Sequence, residues 1–163
     1  MSDFRPRLKG NILNAYNNIT KEESRILVIG DLHCPFELKE YFNFCVNTYK
    51  KHNCNKVIFI GDLIDNHYIS FWPTDPDGYG GGHELERAID CLKKWIQEFP
   101  IADVLIGNHD RLVMRRAFDS AIPKVWIKSY NEVLGTNWNW VERVVYDNVQ
   151  YVHGEGGTAR TKA

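Results

Sequence analysis

Four short segments of the chain end in acidic, amide or imidazole side chains beside a glycine. Arg25 to His33 ends in Asp-Leu-His, Lys56 to Asp65 ends in Gly-Asp-Leu-Ile-Asp, Asp103 to Asp110 ends in Gly-Asn-His-Asp, and Val149 to Gly154 ends in His-Gly. Carboxylate and amide oxygens combined with imidazole nitrogens suit Mn²⁺, Fe²⁺ or Zn²⁺ better than Ca²⁺. The residue types therefore predict one shared metal site, built where the four segments end.

Each of these segments begins with a run of β-branched and other apolar residues. Runs without alternation are typical of strands buried on both faces, in the middle of a parallel sheet. Ligands of open α/β sheets bind in the crevice outside the carboxyl ends of the strands. Gly30, Gly61 and Gly107 fit turns at those ends that need unusual dihedrals or close backbone approach.

The segments between the strands support the same architecture. Glu37 to Lys51 and His83 to Phe99 carry apolar residues three and four positions apart, which predicts two amphipathic helices. Each helix would link two parallel strands in a β-α-β unit. Near the end of the sequence, Trp138 to Tyr146 has a strand-like composition, and Asp147-Asn148 favours a hairpin turn into Val149 to His153.

Composition places the chain among ordinary globular proteins, with 163 residues, 44% hydrophobic and 25% charged residues and a formal net charge of −1. No segment approaches the roughly 20 apolar residues of a membrane span, and the N-terminus lacks an apolar signal core. We therefore predict a cytoplasmic protein without a membrane segment. Nucleic acid is a conceivable partner that the net charge does not indicate.

Two further expectations concern the cysteines and the domain limits. Cys34, Cys45, Cys54 and Cys91 form no Cys-x-x-Cys pair and are predicted to be free thiols. Residues 1–24 are polar and rich in asparagine. They are predicted to form an N-terminal arm or short helix outside a single domain that spans residues 25–163.

The ordered polar blocks resemble the motif series of calcineurin-like metallophosphoesterases. In this sequence the blocks are Asp31-Leu32-His33, Gly61-Asp62-Leu63-Ile64-Asp65, Gly107-Asn108-His109-Asp110 and His153-Gly154. They follow the family's order and approximate spacing. The resemblance implies an α/β fold, a sandwich of two mixed β-sheets flanked by helices.

The resemblance also implies a ligand set for two divalent cations. Asp31 and His33 would bind the first cation, Asp62 would bridge the two, and Asn108 and His153 would bind the second. Two ions about 3.5–4 Å apart can clamp a phosphoryl group and make hydroxide available for in-line attack. Mn²⁺ is the preferred ion, with Fe, Zn or Mg as alternatives.

His109 and Asp65 are the predicted catalytic residues. In the family the histidine at this position faces the scissile phosphate and stabilises or protonates the leaving oxygen, while the aspartate orients it. A neighbouring carboxylate favours the imidazolium, which can donate a proton. His67 and Arg111 are candidates for substrate binding, although a loop histidine and a solvated arginine are the ordinary interpretations. The proline- and glycine-rich residues 71–82 are predicted to form a lid.

The sequence departs from the family after His153. Family members carry a Gly-His-x-His block whose two histidines complete both metal shells, and this sequence contains no histidine beyond position 153. We therefore expect a fold that is incomplete at its C-terminal end, with an open sheet edge. Weak metal binding and low activity of this chain alone would follow. A partner chain or an oligomer could supply the missing ligands.

The sequence predicts a metal-dependent hydrolase of phosphoric esters. Its substrate would be a phosphate monoester or diester, attacked by water activated between two metal ions. One alternative is a DNA or RNA nuclease with the same metal core, which salt-sensitive oligonucleotide binding would favour. The other is a catalytically impaired fragment that acts as a binding or assembly module, which the missing histidines favour.

Overall fold

A four-stranded parallel sheet forms the centre of the protein, in a computed structural model that describes residues 24–154. Its strands follow the order β1 (Ile26–Ile29), β2 (Lys56–Phe59), β3 (Asp103–Leu105) and β4 (Asn139–Val141). Two more strands, β5 (Arg143–Tyr146) and β6 (Val149–Val152), pair antiparallel as a second sheet.

Helices connect the parallel strands, as the sequence predicts. Helix α1 (Tyr41–Lys51) links β1 to β2, and helix α2 (Gly81–Glu98) links β2 to β3. Helices α3 (Leu112–Asp119) and α4 (Tyr130–Leu134) lie between β3 and β4, and 3₁₀ turns occupy His67–Ile69 and Lys124–Trp126.

The register of the parallel strands aligns their carboxyl ends. Ile29 of β1 lies opposite Phe59 of β2, and Phe59 lies opposite Val104 of β3. The loops that follow these strands therefore leave the sheet at one edge, where the sequence places its polar blocks.

Aromatic side chains from the helices and the sheet fill the core. Phe59 and Trp95 are fully buried, and Trp138 is almost so. The Phe59 ring lies 4.8 Å from the Trp138 ring and 5.9 Å from the Trp95 ring, between centroids. Burial of a large apolar side chain contributes about 1.5–3 kcal/mol, so this cluster fixes α2 firmly against the sheet that carries the site.

The α/β class with two sheets is confirmed, and the structure is consistent with part of the predicted sandwich. In the described residues one sheet is wholly parallel and the other is an antiparallel pair. The arm predicted for residues 1–24 lies outside the described residues except for Ser24, and the domain limits stay a prediction. No helix between residues 24 and 154 is long and apolar enough to cross a membrane.

Both long helices begin at positions different from those predicted. Helix α1 begins at Tyr41 instead of Glu37. The Glu37 carboxylate accepts a hydrogen bond from Trp95 Nε1 at 2.7 Å, so residue 37 is tied to α2 before α1 starts. Helix α2 begins two residues early, at Gly81, where a Cβ would lie 2.6 Å from the Tyr68 ring. A side chain at position 81 would therefore displace the Tyr68 ring.

The single strand predicted over Trp138 to Tyr146 is two strands with different partners. Before Glu142 the chain pairs in parallel with β3, and after it the chain pairs with β6. Composition cannot show a change of partner, because both halves have the same β-prone residues. The hairpin turn is confirmed: Asp147 and Asn148 have φ of 49° and 64°, as a two-residue turn with left-handed residues requires.

Strand β1 was expected in the middle of the sheet but pairs only with β2 in the described residues. Its Val28 side chain is 39% exposed. Four consecutive apolar residues predict a strand. They do not show whether other elements cover both of its faces or whether other strands pair with both of its edges.

Candidate metal centre

The loops that follow β1 and β2 run side by side and hydrogen-bond to each other. His33 N–H donates to the carbonyl of Asp62, and Cys34 N–H donates to the carbonyl of Leu63, both at 2.9 Å. Asp65 N–H returns a bond to the carbonyl of Cys34 at 3.0 Å. His33 and Asp62 adopt positive φ of 48° and 50°, in the left-handed region where Asp and His are tolerated. These bonds fix the positions from which both side chains project.

Glycine is required at two of the three predicted turn positions. Gly61 has φ of +110°, and a Cβ there would lie 2.5 Å from Nδ1 of His153. A Cβ on Gly107 would lie 2.1 Å from Oδ1 of Asp62. At Gly30, by contrast, a Cβ would make an ordinary 3.5 Å contact with the Tyr41 hydroxyl, so this position needs no glycine.

Asp62 occupies the centre of the site and is 4% exposed. Its Oδ1 accepts a 2.8 Å hydrogen bond from the backbone N–H of His109. Its Oδ2 lies 3.4 Å from Nε2 of His153 and 3.9 Å from Nε2 of His33. One oxygen therefore anchors the side chain, and the other faces the imidazoles of His33 and His153.

The outer nitrogens of both imidazoles are held by hydrogen-bond acceptors. His33 Nδ1 lies 2.6 Å from Oδ1 of Asp65, and His153 Nδ1 lies 2.8 Å from the carbonyl oxygen of Ile60. Because ionised carboxylate and carbonyl oxygens only accept, Nδ1 carries the proton in each ring. In the neutral rings Nε2 then carries the lone pair that a metal ion would accept, the arrangement usual for metal-binding histidines. In this structure Nε2 of His153 lies 2.9 Å from Oδ1 of Asn108.

The structure brings all five predicted metal ligands together. Potential ligand atoms lie within 4.8 Å of one another in two groups that share Asp62, one with His33 and His109 and the other with Asp31 and His153. Asn108 adjoins the second group, because its Oδ1 lies 2.9 Å from Nε2 of His153. The assignment of each residue to a particular cation stays a prediction.

His109 lies beside these ligands, but Asp65 contacts it in an unexpected way. Nδ1 of His109 is 2.5 Å from the carbonyl oxygen of Asp65 and 3.8 Å from the Asp65 carboxylate. That carboxylate bonds to His33 instead. The His109 ring meets the His33 ring edge to face at 4.6 Å. Asp65 therefore positions His109 through its backbone and His33 through its side chain.

The His33 and Asp65 side chains stabilise each other's charged forms. The hydrogen bond to Asp65 raises the pKa of His33, against the opposing effect of its partial burial. Burial opposes ionisation of Asp65, but the hydrogen bond from His33 and the nearby His109 together lower its pKa. This pair therefore keeps a carboxylate hydrogen-bonded to an imidazole at the edge of the site.

Asp110 organises the site, although the sequence interpretation gave it no role. Its carboxylate is 2% exposed and accepts backbone N–H bonds from Asp62 and Gly107 at 2.9 Å and from Leu63 at 3.1 Å. Burial raises its pKa to about 6. The signal was present, since Asp110 closes the Gly-Asn-His-Asp block, but an aspartate that binds backbone looks the same in sequence as one that binds metal.

Asn66 was also missed. It is buried, has a left-handed φ of 51°, and donates from Nδ2 to the carbonyl of His109 at 3.0 Å. It therefore fixes the backbone of the predicted catalytic residue. Its position directly after the Gly-Asp-Leu-Ile-Asp block was the available signal.

Neither predicted substrate-binding residue belongs to the ligand groups. His67 Nε2 accepts a 3.2 Å bond from the backbone N–H of Asp75, and Arg111 forms an ion pair with Glu142. Residues 71–80 are exposed, and the guanidinium of Arg116 lies 3.9 Å from the Phe71 ring centroid. Substrate contact by His67 and Arg111, and lid movement, stay predictions.

Comparison with known protein families gave a match. A sequence model described as calcineurin-like phosphoesterase matches residues 24–161, a range that contains every predicted ligand and catalytic residue. No curated protein and no solved structure matches the chain.

Proposed function

Since the chain belongs to the calcineurin-like phosphoesterase family, we propose that it hydrolyses a phosphoric ester with water, using two divalent cations. The observation that carries this proposal is the position of Asp62 Oδ2, which faces Nε2 of both His33 and His153. Such an oxygen can serve two cations at once.

The donor set fits divalent cations of the first transition row. Each of the two groups around Asp62 offers carboxylate oxygen together with imidazole nitrogen, a mixture that suits Mn²⁺, Fe²⁺ or Zn²⁺ better than the all-oxygen sites of Ca²⁺. We propose Mn²⁺ as the working ion. By the family's pattern Asp31 and His33 would hold one ion, Asn108 and His153 the other, and Asp62 would contact both. In this structure Asp31 instead groups with His153, and His33 groups with His109, around Asp62.

The cations, when bound, would supply Lewis acidity that lowers the pKa of water and neutralises charge on the phosphoryl oxygens. The protein contributes fixed positions. Asp110 holds the backbone of Asp62 and Gly107, and Asp65 and the Ile60 carbonyl hold the two imidazole ligands by Nδ1. Little reorganisation of these side chains is then needed at the moment of reaction.

His109 is the proposed general acid. Its Nδ1 proton is held by the carbonyl of Asp65, which leaves Nε2 as the ring atom that can reach substrate. In the imidazolium form Nε2 would donate its proton to the leaving oxygen as the P–O bond breaks.

Hydrolysis of a mono- and a bis-nitrophenyl phosphate with Mn²⁺ tests the proposal. We expect turnover that a chelator removes and Mn²⁺ restores. Asp62→Asn should lower kcat/KM by more than the roughly 10–100-fold typical of losing an outer-shell partner. Asp103→Asn is the matched control, because Asp103 begins the neighbouring strand at the opposite end of the sheet. The preferred ester separates a phosphatase from a diesterase.

Two results would contradict the proposal. Equal activity of the Asp62→Asn variant and the wild type would remove Asp62 from the reaction. A folded wild-type chain that turns over neither ester with Mn²⁺ would show that this chain is no hydrolase by itself, in line with the binding-module alternative.

A further inference from the structure

Two cysteines distant in sequence meet beside the loop that carries the predicted ligand His33. The Sγ atoms of Cys34 and Cys91 lie 2.8 Å apart, although the residues are separated by 57 positions. Cys34 follows the predicted ligand His33, and Cys91 lies near the middle of α2. Cys34 is fully buried, whereas Cys91 is half-buried and is the sulfur that a small solute reaches first.

We propose that Cys34 and Cys91 form a reversible disulfide when the protein meets a peroxide, a modification site that goes beyond the proposed hydrolase function. A disulfide has sulfurs about 2.05 Å apart, so the two sulfurs need to approach by less than about 1 Å. Both side chains already project towards one point between a loop and a helix.

A zinc ion held by the same cysteines is the competing interpretation, because Glu37 lies close enough to complete a three-residue ligand group. Two thiolates on one tetrahedral zinc, with bonds of about 2.3 Å, would be about 3.8 Å apart, much farther than 2.8 Å. Both Glu37 oxygens are also engaged, one by Lys94 and the other by Trp95 Nε1 at 2.7 Å. The geometry therefore favours a covalent pair.

The reaction balances with hydrogen peroxide as the oxidant. Sγ of Cys91 attacks one peroxide oxygen, an S–O bond forms and the O–O bond breaks, giving a sulfenic acid and water. Sγ of Cys34 then attacks the Cys91 sulfur, the S–S bond forms and a second water leaves. Two thiols lose two electrons and two protons, and a dithiol reductant reverses the change.

The disulfide would act on the loop that carries the metal ligands. The backbone of Cys34, directly after His33, forms hydrogen bonds with Leu63 and Asp65 in the neighbouring loop. A bond to α2 would clamp this loop to a helix that is anchored in the core by Ala88, Leu92 and Trp95. We therefore expect the oxidised chain to melt at a higher temperature than the reduced chain, because the cross-link also restricts the unfolded state.

Peptide mapping of the full chain after treatment with hydrogen peroxide tests the inference. We expect a non-reduced peptide pair that joins Cys34 to Cys91, an intact mass lower by two hydrogen atoms, and loss of both signals after dithiothreitol. The Cys91→Ser variant should lose the linked pair and the rise in melting temperature. The Cys45→Ser and Cys54→Ser variants are matched controls that should keep both.

Three outcomes would overturn the inference. Cys34 and Cys91 would both remain open to alkylation after peroxide treatment, or Cys91 would accumulate as the sulfinic acid with no linked peptide. Alternatively, zinc would protect both thiols from alkylation and a chelator would expose them, which would assign the pair to a metal. The map of the wild-type chain decides among these outcomes even where a variant fails to fold.

Discussion

The two ends of the parallel sheet carry similar polar residues but use them differently. At the amino ends, the Asp103 carboxylate accepts hydrogen bonds from Asn139 Nδ2 at 2.7 Å and from the Tyr146 hydroxyl at 2.6 Å. The Lys56 ammonium lies 4.8 Å from the Tyr146 ring centroid. These groups satisfy one another, and the arrangement stabilises the fold.

At the carboxyl ends some polar groups also bond to one another, as His33 does to Asp65, but Oδ2 of Asp62 stays 3.4 Å or more from the imidazoles that face it. Asp62 has one oxygen bonded to backbone and the other facing two imidazoles, and Asp31 adds an exposed carboxylate to the same group. His33 and Asp62 also adopt left-handed backbone, which costs about 1–3 kcal/mol for each non-glycine residue. Carboxylates held together repel each other unless a cation offsets their charge. The difference supports the proposal that the carboxyl end binds cations, whereas the amino end stabilises the fold.

The largest effect at the carboxyl end should follow from replacing His109. We expect His109→Ala to lower kcat by roughly 10²–10⁴-fold, the contribution of a general acid, while the Mn²⁺ concentration for half-maximal activity stays unchanged. The reason is that Nε2 of His109 would serve the leaving oxygen and not a cation. Steady-state kinetics across a Mn²⁺ titration measure both quantities.

His83→Ala provides the control for His109→Ala, because His83 is an exposed histidine of α2 whose ring meets the Tyr79 ring edge to face, at 5.1 Å between centroids. It should leave kcat within twofold. A fall in Mn²⁺ affinity as large as the fall in kcat would instead make His109 a ligand, as its membership of a group with His33 and Asp62 allows.

A smaller effect should follow from adding one methyl group at Gly107. It should change both the stability of the fold and the response to Mn²⁺. In Gly107→Ala the new Cβ would lie 2.1 Å from Oδ1 and 2.4 Å from the backbone N of Asp62, so the β2 and β3 loops must separate. We expect a loss of about 3 kcal/mol in the free energy of unfolding, the upper range for overpacking. The rise in melting temperature caused by Mn²⁺ should disappear.

Gly82→Ala is the matched control, because a Cβ at Gly82 would meet nothing within 4 Å and the residue lies in the first turn of α2. Alanine is a better helix former than glycine, so this variant should be equally or slightly more stable. Urea unfolding of both variants with and without Mn²⁺ gives the comparison. Equal stability of the two variants would mean that the loops do not approach as closely as described.

The sequence predicted the location of the site because each strand and its polar block are local signals. An apolar run followed by Gly-Asp or Gly-Asn-His identifies a strand end, and parallel strands bring their ends to one edge. The place of Asp62 at the end of the central strand predicted it as the shared ligand, and that role stays a prediction. Its actual arrangement, with Oδ1 bonded to backbone and Oδ2 facing both histidines, required the relative positions of two loops.

Relations between distant segments could not be predicted. Asp110 is adjacent to two predicted functional residues, yet only the fold shows that its carboxylate binds backbone N–H groups of Asp62 and Leu63, 47–48 positions away. The meeting of Cys34 and Cys91 has no spacing signal, because it depends on which face of α2 packs behind the β1 loop. Hydrophobic periodicity predicts a helix but leaves that rotation to the packing.

The smallest effect is expected at the amino end, and its dependence on pH makes it specific. Burial, together with the hydrogen bond to Asp103 and its charge, raises the pKa of Tyr146 to about 12, above the value of about 10 for an unfolded tyrosine. The protonated phenol therefore contributes stability fully below about pH 10, and this contribution is lost as the pH rises through about 12.

Tyr146→Phe should lower the free energy of unfolding at pH 8 by about 1 kcal/mol. The difference from wild type should be smaller at pH 11, and the response to Mn²⁺ should stay intact. Urea unfolding at both pH values measures the free energy of unfolding, with Tyr151→Phe on the adjacent strand as the control. A difference between Tyr146→Phe and wild type that grows at pH 11 would show that Asp103 does not stabilise the phenol.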